Sequence, residues 1–292
     1  MANSDISAPA ITRRAFFVCA ALAVTARAAP PTTTQGPLAQ IGKPDAAEAA
    51  RLIEQFRRWD VAGQYYLEFE LHELPRRGDE RVYHGRLWGS RNARGPITRI
   101  ALNGADGGER RLLLQNGEQS ALWRLDGGRV VPLGIGAWFE PVVPGVELTA
   151  FDLKMPFLYC PGATVEKIAR IRGRPANQFV FRPPPAVAEQ FPQLTAARAY
   201  LDTQFNMPLQ TELLGRDGAV LKTLSLVDLK KIGEQWMVKS LDVRDETTRN
   251  KSRVLVTGVA LNLTLAPEVF EPAALADDVP PPAAGLVTPL AP

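Results

Sequence analysis

The spacing of hydrophobic and polar residues changes near the start of the predicted domain. Between positions 45 and 59 apolar residues recur three and four places apart, which predicts an amphipathic helix. The period then falls to two: Leu67, Phe69 and Leu71 alternate with polar residues such as Glu68, as in a half-buried β-strand. The sequence therefore predicts one helix followed by a sheet.

Further strand-length segments follow one another and are separated by short turns. Asn103-Gly104 and Asn116-Gly117 are strong hairpin signals between such segments. Because short loops join antiparallel neighbours, and because a sheet of about eleven strands accumulates twist, we expect a strongly curved antiparallel sheet with a concave face. The clearest segments are residues 97–102, 110–115, 120–125, 208–214, 220–231 and 236–244.

A helix-start signal interrupts the strands in the middle of the chain. Thr149 is a candidate N-cap with the acid Asp152 three residues later, and an apolar stretch that includes Phe157 follows. A short apolar helix here would cover the open sheet face. The predicted fold class is therefore mainly β (α+β). The predicted strand at 220–231 carries apolar residues on both faces. One face could pack on a helix while the other lines a cavity, or the sheet could be covered by protein on both sides.

The N-terminus has the layout of a cleavable export signal. Arg13-Arg14 precede an apolar run at 15–24, and small residues around Ala28 mark the expected cleavage site. The paired arginines are typical of twin-arginine signals, and an ordinary secretion signal is the alternative. We expect export to the periplasm, and no apolar run after the signal is long enough for a transmembrane helix.

The rest of the chain divides by composition. Residues 1–28 are the predicted signal, and 29–44 form a flexible leader. Residues 45–272 form one domain, and the Pro- and Ala-rich residues 273–292 are expected to be a disordered tail without a packing role.

Charge and cysteine content restrict the function. The net charge is +3, and it falls to about +1 when the signal is removed, so nucleic acid is not an expected partner. Signal cleavage also removes Cys19, which leaves Cys160 as a single thiol and excludes an intramolecular disulfide.

The sequence contains none of the common hydrolase, zinc-protease or dithiol motifs. His72 and His84 flank a predicted turn, but two histidines are too few for a metal site and fit a solvated pair better. Cys160 is expected to be inert, and Arg244 and Arg249 belong to a basic cluster that is either a docking patch or a solvated loop. We therefore predict no catalytic residue, cofactor or metal.

The block 199–272 resembles the last third of the outer-membrane lipoprotein-sorting (LolA-like) family, and the resemblance extends over about 46–272. It rests on the order and spacing of short motifs: Tyr200-Leu201-Asp202, Met207-Pro208-Leu209 with Glu212, Asp217-Gly218, Lys230-Lys231, Trp236-Met237-Val238, the Thr247-Thr248 region, and upstream Leu148 to Leu153. The resemblance implies an unclosed β-barrel with helices on its concave side, a periplasmic location and an apolar cavity for acyl chains.

The leading hypothesis is a non-catalytic carrier of an acylated lipoprotein or lipid, working with a membrane donor or acceptor protein. One alternative is a periplasmic sensor that recognises a lipidated or misfolded partner on the same scaffold. Another is an enzyme that holds a small substrate in the cavity. The candidate residues for the lipid cavity are Leu67, Phe69, Leu71, Leu87, Trp123 and Phe157.

Overall fold

The computed structural model describes residues 23–24, 42–57, 61, 63–104 and 107–290. The predicted export signal, apart from Ala23–Val24, and most of the predicted leader lie outside the described residues.

One antiparallel sheet of fifteen strands makes up most of the described chain. Thirteen strands follow a single path in the order β7-β6-β5-β4-β3-β2-β14-β13-β12-β11-β10-β9-β8, and the sheet does not close, because β7 and β8 stand at opposite ends of this path. The two remaining strands have two residues each; β1 pairs with β13 and β15 pairs with β14. The strands are β1 Ala23–Val24, β2 Gln64–Leu74, β3 Arg81–Asn92, β4 Gly95–Asn103, β5 Glu109–Gln115, β6 Ala121–Asp126, β7 Arg129–Pro132, β8 Thr164–Ile171, β9 Arg174–Phe181, β10 Ala196–Asp202, β11 Pro208–Leu214, β12 Val220–Ile232, β13 Gln235–Asp245, β14 Lys251–Leu263 and β15 Thr288–Pro289.

The helices of the described chain are short. They are α1 Ala46–Arg57, α2 Ala150–Lys154 and α3 Pro185–Gln190, with 3-10 helices at Ile135–Phe139, Pro156–Tyr159, Arg216–Gly218, Pro267–Phe270, Pro272–Ala276 and Ala284–Leu286. The amphipathic helix predicted before the sheet is therefore present as α1, and the helix-start signal in the middle of the chain opens α2. The predicted mainly β class, with an antiparallel, unclosed sheet, is confirmed.

The contacts of α2 require the sheet to curl. This helix contacts β5, and Phe157, three residues beyond it, packs on Phe181 of β9 with ring centroids 5.6 Å apart. In a flat sheet those two strands, nine places apart in the strand order, would lie roughly 40 Å from each other. Three residues span at most about 10 Å. The strands must therefore bend around the central segment.

The two faces of the sheet are buried in separate clusters. We call the face that packs on α1 and α2 the inner face; in β2 it carries Tyr65, Leu67, Phe69 and Leu71. The neighbouring Tyr66 points to the opposite, outer face and packs in a second cluster. This alternation is the period of two that the sequence shows.

The C-terminal tail covers part of the outer face, which corrects the expectation that it is disordered. Leu275 is fully buried in the outer cluster. Arg99 of β4, itself buried, donates hydrogen bonds to the carbonyl oxygens of Val269 and Ala274, at 3.3 and 2.9 Å, and to those of Leu275 and Asp277. The Pro- and Ala-rich composition suggests disorder, but proline pre-sets φ, which lowers the entropy lost when such a segment is ordered by a partner such as this guanidinium.

Candidate functional site

A segment between β7 and β8 fills the inner face, and we call residues 133–160 the plug. It contains the 3-10 helix Ile135–Phe139, α2 and the 3-10 helix Pro156–Tyr159. Its buried side chains are part of the same cluster as the inner face of the sheet: Trp138, Val142, Val143, Val146, Leu148, Ala150, Phe151, Met155, Phe157 and Leu158. The plug is therefore the element that keeps water from the inner face.

The start of α2 is fixed by a capping box. Thr149 Oγ1 accepts a hydrogen bond from the backbone N–H of Asp152, and Asp152 Oδ2 accepts one from the backbone N–H of Thr149 at 2.9 Å. These bonds satisfy amide groups that a helix N-terminus otherwise leaves free. The α2 helix ends at Met155, which adopts a left-handed conformation (φ 43°) before Pro156.

Lys222 of β12 attaches the plug to the sheet. Its Nζ donates hydrogen bonds to Asp152 Oδ2 at 2.9 Å and to the carbonyl oxygen of Glu147 at 2.8 Å. From the other side, Ser252 Oγ of β14 accepts a hydrogen bond from the backbone N–H of Glu147 at 2.7 Å. Asp152 is fully buried as a side chain, so the lysine also neutralises its charge in a dry environment.

Further contacts hold the middle and the C-terminal end of the plug. Tyr83 of β3 donates its hydroxyl proton to the carbonyl oxygen of Pro144 at 2.9 Å. Arg57, at the end of α1, donates to the carbonyl oxygens of Leu158 and Cys160 at 2.5 and 3.3 Å. The plug is thus joined to the strands and to α1 by discrete polar contacts and by apolar packing, and its isolated β-bridge, between Pro141 and Thr149, is internal to the plug.

Little space remains between the plug and the inner face. A cavity of about 20 Å³ lies there, which is enough for about one water molecule. Its lining is apolar: Leu67, Phe69, Leu87, Ile100, Leu102, Val142, Leu148, Leu153, Val254 and Val256. The expected preformed hollow for an acyl chain is therefore absent in the described chain, because the plug's own side chains occupy it.

Five of the six candidate cavity residues lie on the inner face or the plug. Leu67, Phe69 and Leu87 line the small cavity, and Leu71 and Phe157 are buried in the same cluster outside its lining.

The sixth candidate, Trp123, was placed on the wrong face. It packs against the outer cluster, whereas the preceding residue, Leu122, belongs to the inner one. Successive residues of a strand point to opposite faces, so the register of β6 excludes Trp123 from the plugged side.

Lys154 is a buried cation inside the plug. Its side chain is fully buried, its Nζ lies 3.4 Å from the centroid of the Trp138 ring, and this atom has no hydrogen-bond partner among the described residues. Burial lowers the pKa of Lys154 to about 7. The indole Nε1 of Trp138 also lacks a hydrogen-bond partner in the described chain. The sequence feature that could have indicated this buried cation is a lone lysine in an apolar stretch, between Leu153 and Met155.

The basic cluster near the end of β13 is paired with acids. Arg253 Nε lies 2.6 Å from Asp242 Oδ1, and Arg249 Nη1 lies 2.6 Å from Glu246 Oε2. These side chains, except Arg253, line an outer groove of about 700 Å³ that holds charges of both signs. The charged side chains of its lining are four cations and three anions.

The remaining candidate groups include His72 and Cys160. His72 is flanked by Glu70 and Glu80, at 2.9 and 2.5 Å, and no group of three or more His, Cys, Asp or Glu residues in the described chain could hold a metal ion. Burial raises the pKa of the Cys160 thiol, which disfavours the reactive thiolate.

Comparison with solved structures places this plugged sheet among known folds. A domain assigned to outer membrane lipoprotein sorting, from Vibrio parahaemolyticus, superposes with a TM-score of 0.68 at 17% identity, covering 78% of this chain and 97% of that one. A DUF1329 family protein from Desulfovibrio piger superposes with a TM-score of 0.67 at 13% identity, covering 80% of this chain and 100% of that one. The chain has the LolA-like fold. A LolA superfamily protein from Nitrosomonas europaea superposes with a TM-score of 0.60 at 12% identity, covering 76% of this chain and 97% of that one.

Sequence comparison is less informative than this fold similarity. A protein-family model described as "Uncharacterized protein" matches residues 184–277. No curated protein matches the chain at a significant level. Among the described residues, no helix combines the length and apolar character needed to cross a membrane.

Proposed function

We propose that this protein is a non-catalytic periplasmic carrier that binds the acyl chain of a lipoprotein or lipid between the inner face and the plug. The observation that carries the proposal is a largely apolar inner face covered by a segment that discrete polar contacts attach to the strands. The LolA-like fold and the predicted export signal support the same function. The chemistry needs no catalyst, because the task is to shield a hydrocarbon from water.

The cavity of about 20 Å³ requires the plug to move before an acyl chain can bind. Burying about ten CH₂ groups contributes roughly 8 kcal/mol. Opening the plug breaks the six hydrogen bonds described above, each worth about 0.5–1.5 kcal/mol net, and more for the buried pair of Lys222 and Asp152. An acyl chain must therefore also replace apolar contacts of the plug, and a partial displacement that keeps the rest of the plug packed on the sheet is the least costly opening. Release would follow when a membrane acceptor takes the chain and the plug returns.

The test is to weaken the plug's attachment without changing the apolar face. Lys222→Met removes both hydrogen bonds from β12 to the plug. The matched control is Lys231→Met on the same strand, because Lys231 is 45% exposed and pairs with Glu234. A fluorescent fatty-acid probe is expected to bind the Lys222 variant several-fold faster than the wild type or the control. A folded wild-type protein that takes up no acyl probe, with no lipid seen by native mass spectrometry, would contradict the carrier.

The filled inner face also favours a second candidate, an interaction protein that recognises a lipidated or misfolded partner. Such a protein needs no open cavity, and the charged outer groove of about 700 Å³ offers a surface for a polar partner. Native mass spectrometry of the exported protein distinguishes the two functions. Bound lipid supports the carrier, and a retained protein with no lipid supports the interaction protein.

A further inference from the structure

Two buried hydrogen-bond donors that have no acceptor among the described residues lie next to each other inside the plug. They are the Nζ of Lys154 and the indole Nε1 of Trp138, and the lysine nitrogen lies 3.4 Å from the centroid of the indole ring. An unsatisfied buried donor costs about 1–3 kcal/mol, and more if it is charged, so few persist in folded proteins without a reason. Here two of them lie in an otherwise apolar cluster, and both belong to the segment that must move when a ligand binds.

The neighbouring acid does not satisfy Lys154. Asp152 lies two residues earlier, but its Oδ2 accepts hydrogen bonds from Thr149 and Lys222, and no acidic side chain in the described chain forms an ion pair with Lys154. The aromatic face of Trp138 is a favourable partner for the ammonium group within the described chain. An aromatic face stabilises a cation but accepts no conventional hydrogen bond, so the donors of the amine remain available.

The position of these donors fits a ligand that enters beneath the plug. Leu153, the residue before Lys154, lines the small cavity together with Leu67 and Phe69 of the inner face. Lys154 and Trp138 do not line this cavity, so the polar end of a hydrocarbon chain along this surface would reach them where the plug is displaced. The ligand would then supply an oxygen acceptor to Lys154, with which no carboxylate oxygen of the described chain, including the unpaired Oδ1 of Asp152, forms an ion pair.

On the basis of the proposed carrier function, we propose that Lys154 and Trp138 recognise the carbonyl or carboxylate oxygen at the head of a bound acyl chain. Two sources share this chemistry: a free fatty acid, and an acyl group esterified to a lipid or lipoprotein. The lowered pKa of Lys154, which burial sets at about 7, agrees with an amine that gains a favourable partner when an anionic head arrives. The site would thus select acyl ligands over plain hydrocarbons.

The experiment compares three fluorescent probes with the same chain: a pyrene-labelled fatty acid, its methyl ester, and the corresponding pyrene alkane. The quantity measured is the affinity for the acid or the ester divided by the affinity for the alkane, on the exported full-length protein. Lys154→Met should lower this ratio by roughly tenfold, because a hydrogen bond to a charged group is worth about 1.5–3 kcal/mol. Trp138→Phe, which keeps the ring and removes the Nε1 donor, should lower it by a smaller factor. Lys231→Met should leave it unchanged.

The outcomes separate the two sources and the two proposals. If Lys154→Met lowers the affinity ratio for the acid alone, the ligand is a free fatty acid. If it lowers the ratios for both the acid and the ester, the ligand is an esterified acyl group. A ratio that stays at the wild-type value in folded Lys154→Met overturns this inference, even where the alkane and the acid both bind. A wild-type protein that binds none of the three probes overturns the carrier function itself, and the inference with it.

Discussion

The Nζ of Lys222 lies 2.9 Å from Oδ2 of Asp152, and this ion pair links the first turn of α2 to strand β12. The same carboxylate oxygen accepts hydrogen bonds from the backbone N–H and the hydroxyl group of Thr149. One buried acid therefore performs two tasks: it starts the helix and it attaches the plug. Local helix formation and closure of the inner face are coupled through this single side chain.

Replacing Asp152 by Ala should lower the free energy of unfolding by about 3 kcal/mol. The change removes the capping box and leaves the partly buried Lys222 without its counter-charge, and breaking a buried pair in this way typically costs 3–5 kcal/mol. Urea denaturation measures the effect. Asp278→Ala is the control, because Asp278 is 73% exposed and lies 3.5 Å from Arg111, where the expected change is below about 1 kcal/mol. Equal losses in the two variants would contradict the anchoring role of Asp152.

The buried amine of Lys154 should make stability depend on pH. Burial lowers its pKa to about 7 in the folded protein, whereas the ordinary value is 10.5. Between these values the unfolded state binds more protons, so raising the pH favours the folded state by up to about 1.4 kcal/mol per pH unit. Below pH 7 both states are protonated, and the cost of burying the charge is fully present.

Lys154→Met removes this titration, so the variant should be more stable than the wild type below pH 7, by an amount that shrinks as the pH rises toward 10.5. Chemical denaturation of both proteins between pH 6 and 10 checks the prediction. Unfolding free energies that change in parallel over this range would show that Lys154 does not titrate as a buried amine. Because methionine has a similar length, the comparison keeps most of the packing around Trp138.

The strands are the part of the fold that sequence patterns predict best. The period of two in β2 and the Asn-Gly turns around β5 are local features, and both appear in the structure where the sequence places them. The count of about eleven strands was too low for the thirteen on the main path. The capping box of Thr149 and Asp152 is also local, and it forms as predicted.

The features that sequence patterns missed depend on long-range packing. The sequence indicates an apolar inner face, but whether that face is open or filled depends on how the side chains of the plug pack. Trp123 is a candidate cavity residue by sequence, although the register of its strand directs it outward. Leu275 is buried by its contacts with the outer face, which Pro- and Ala-rich composition does not reveal. The partners of Lys222 and Lys154 on the plug likewise appear only in the folded chain.

A glycine in β3 makes room for an inner-face aromatic ring. Gly85 pairs with Phe69 across the strands, and a Cβ atom at Gly85 would lie 2.2 Å from the ring. Gly85→Ala should therefore displace Phe69 from the cavity lining and lower the free energy of unfolding by about 1–3 kcal/mol, as overpacking does. Thermal unfolding measures the loss. Gly134→Ala is the control, because no atom lies within 4 Å of its added Cβ and its φ is −71°. A Gly85 variant as stable as this control would show that the ring is free to move.

The packed tail gives a prediction that separates an ordered tail from a disordered one. Leu275 is fully buried against the outer cluster, whereas Leu286, eleven residues later in the same tail, is 59% exposed. Leu275→Ala should cost about 2–4 kcal/mol, through lost burial and the cavity left behind, and Leu286→Ala less than about 0.5 kcal/mol. Urea denaturation of the two variants measures the difference directly. If both variants have the wild-type free energy of unfolding, the tail does not stabilise the sheet. The hydrogen bonds from Arg99 to the tail carbonyl oxygens would then not hold that arginine in place.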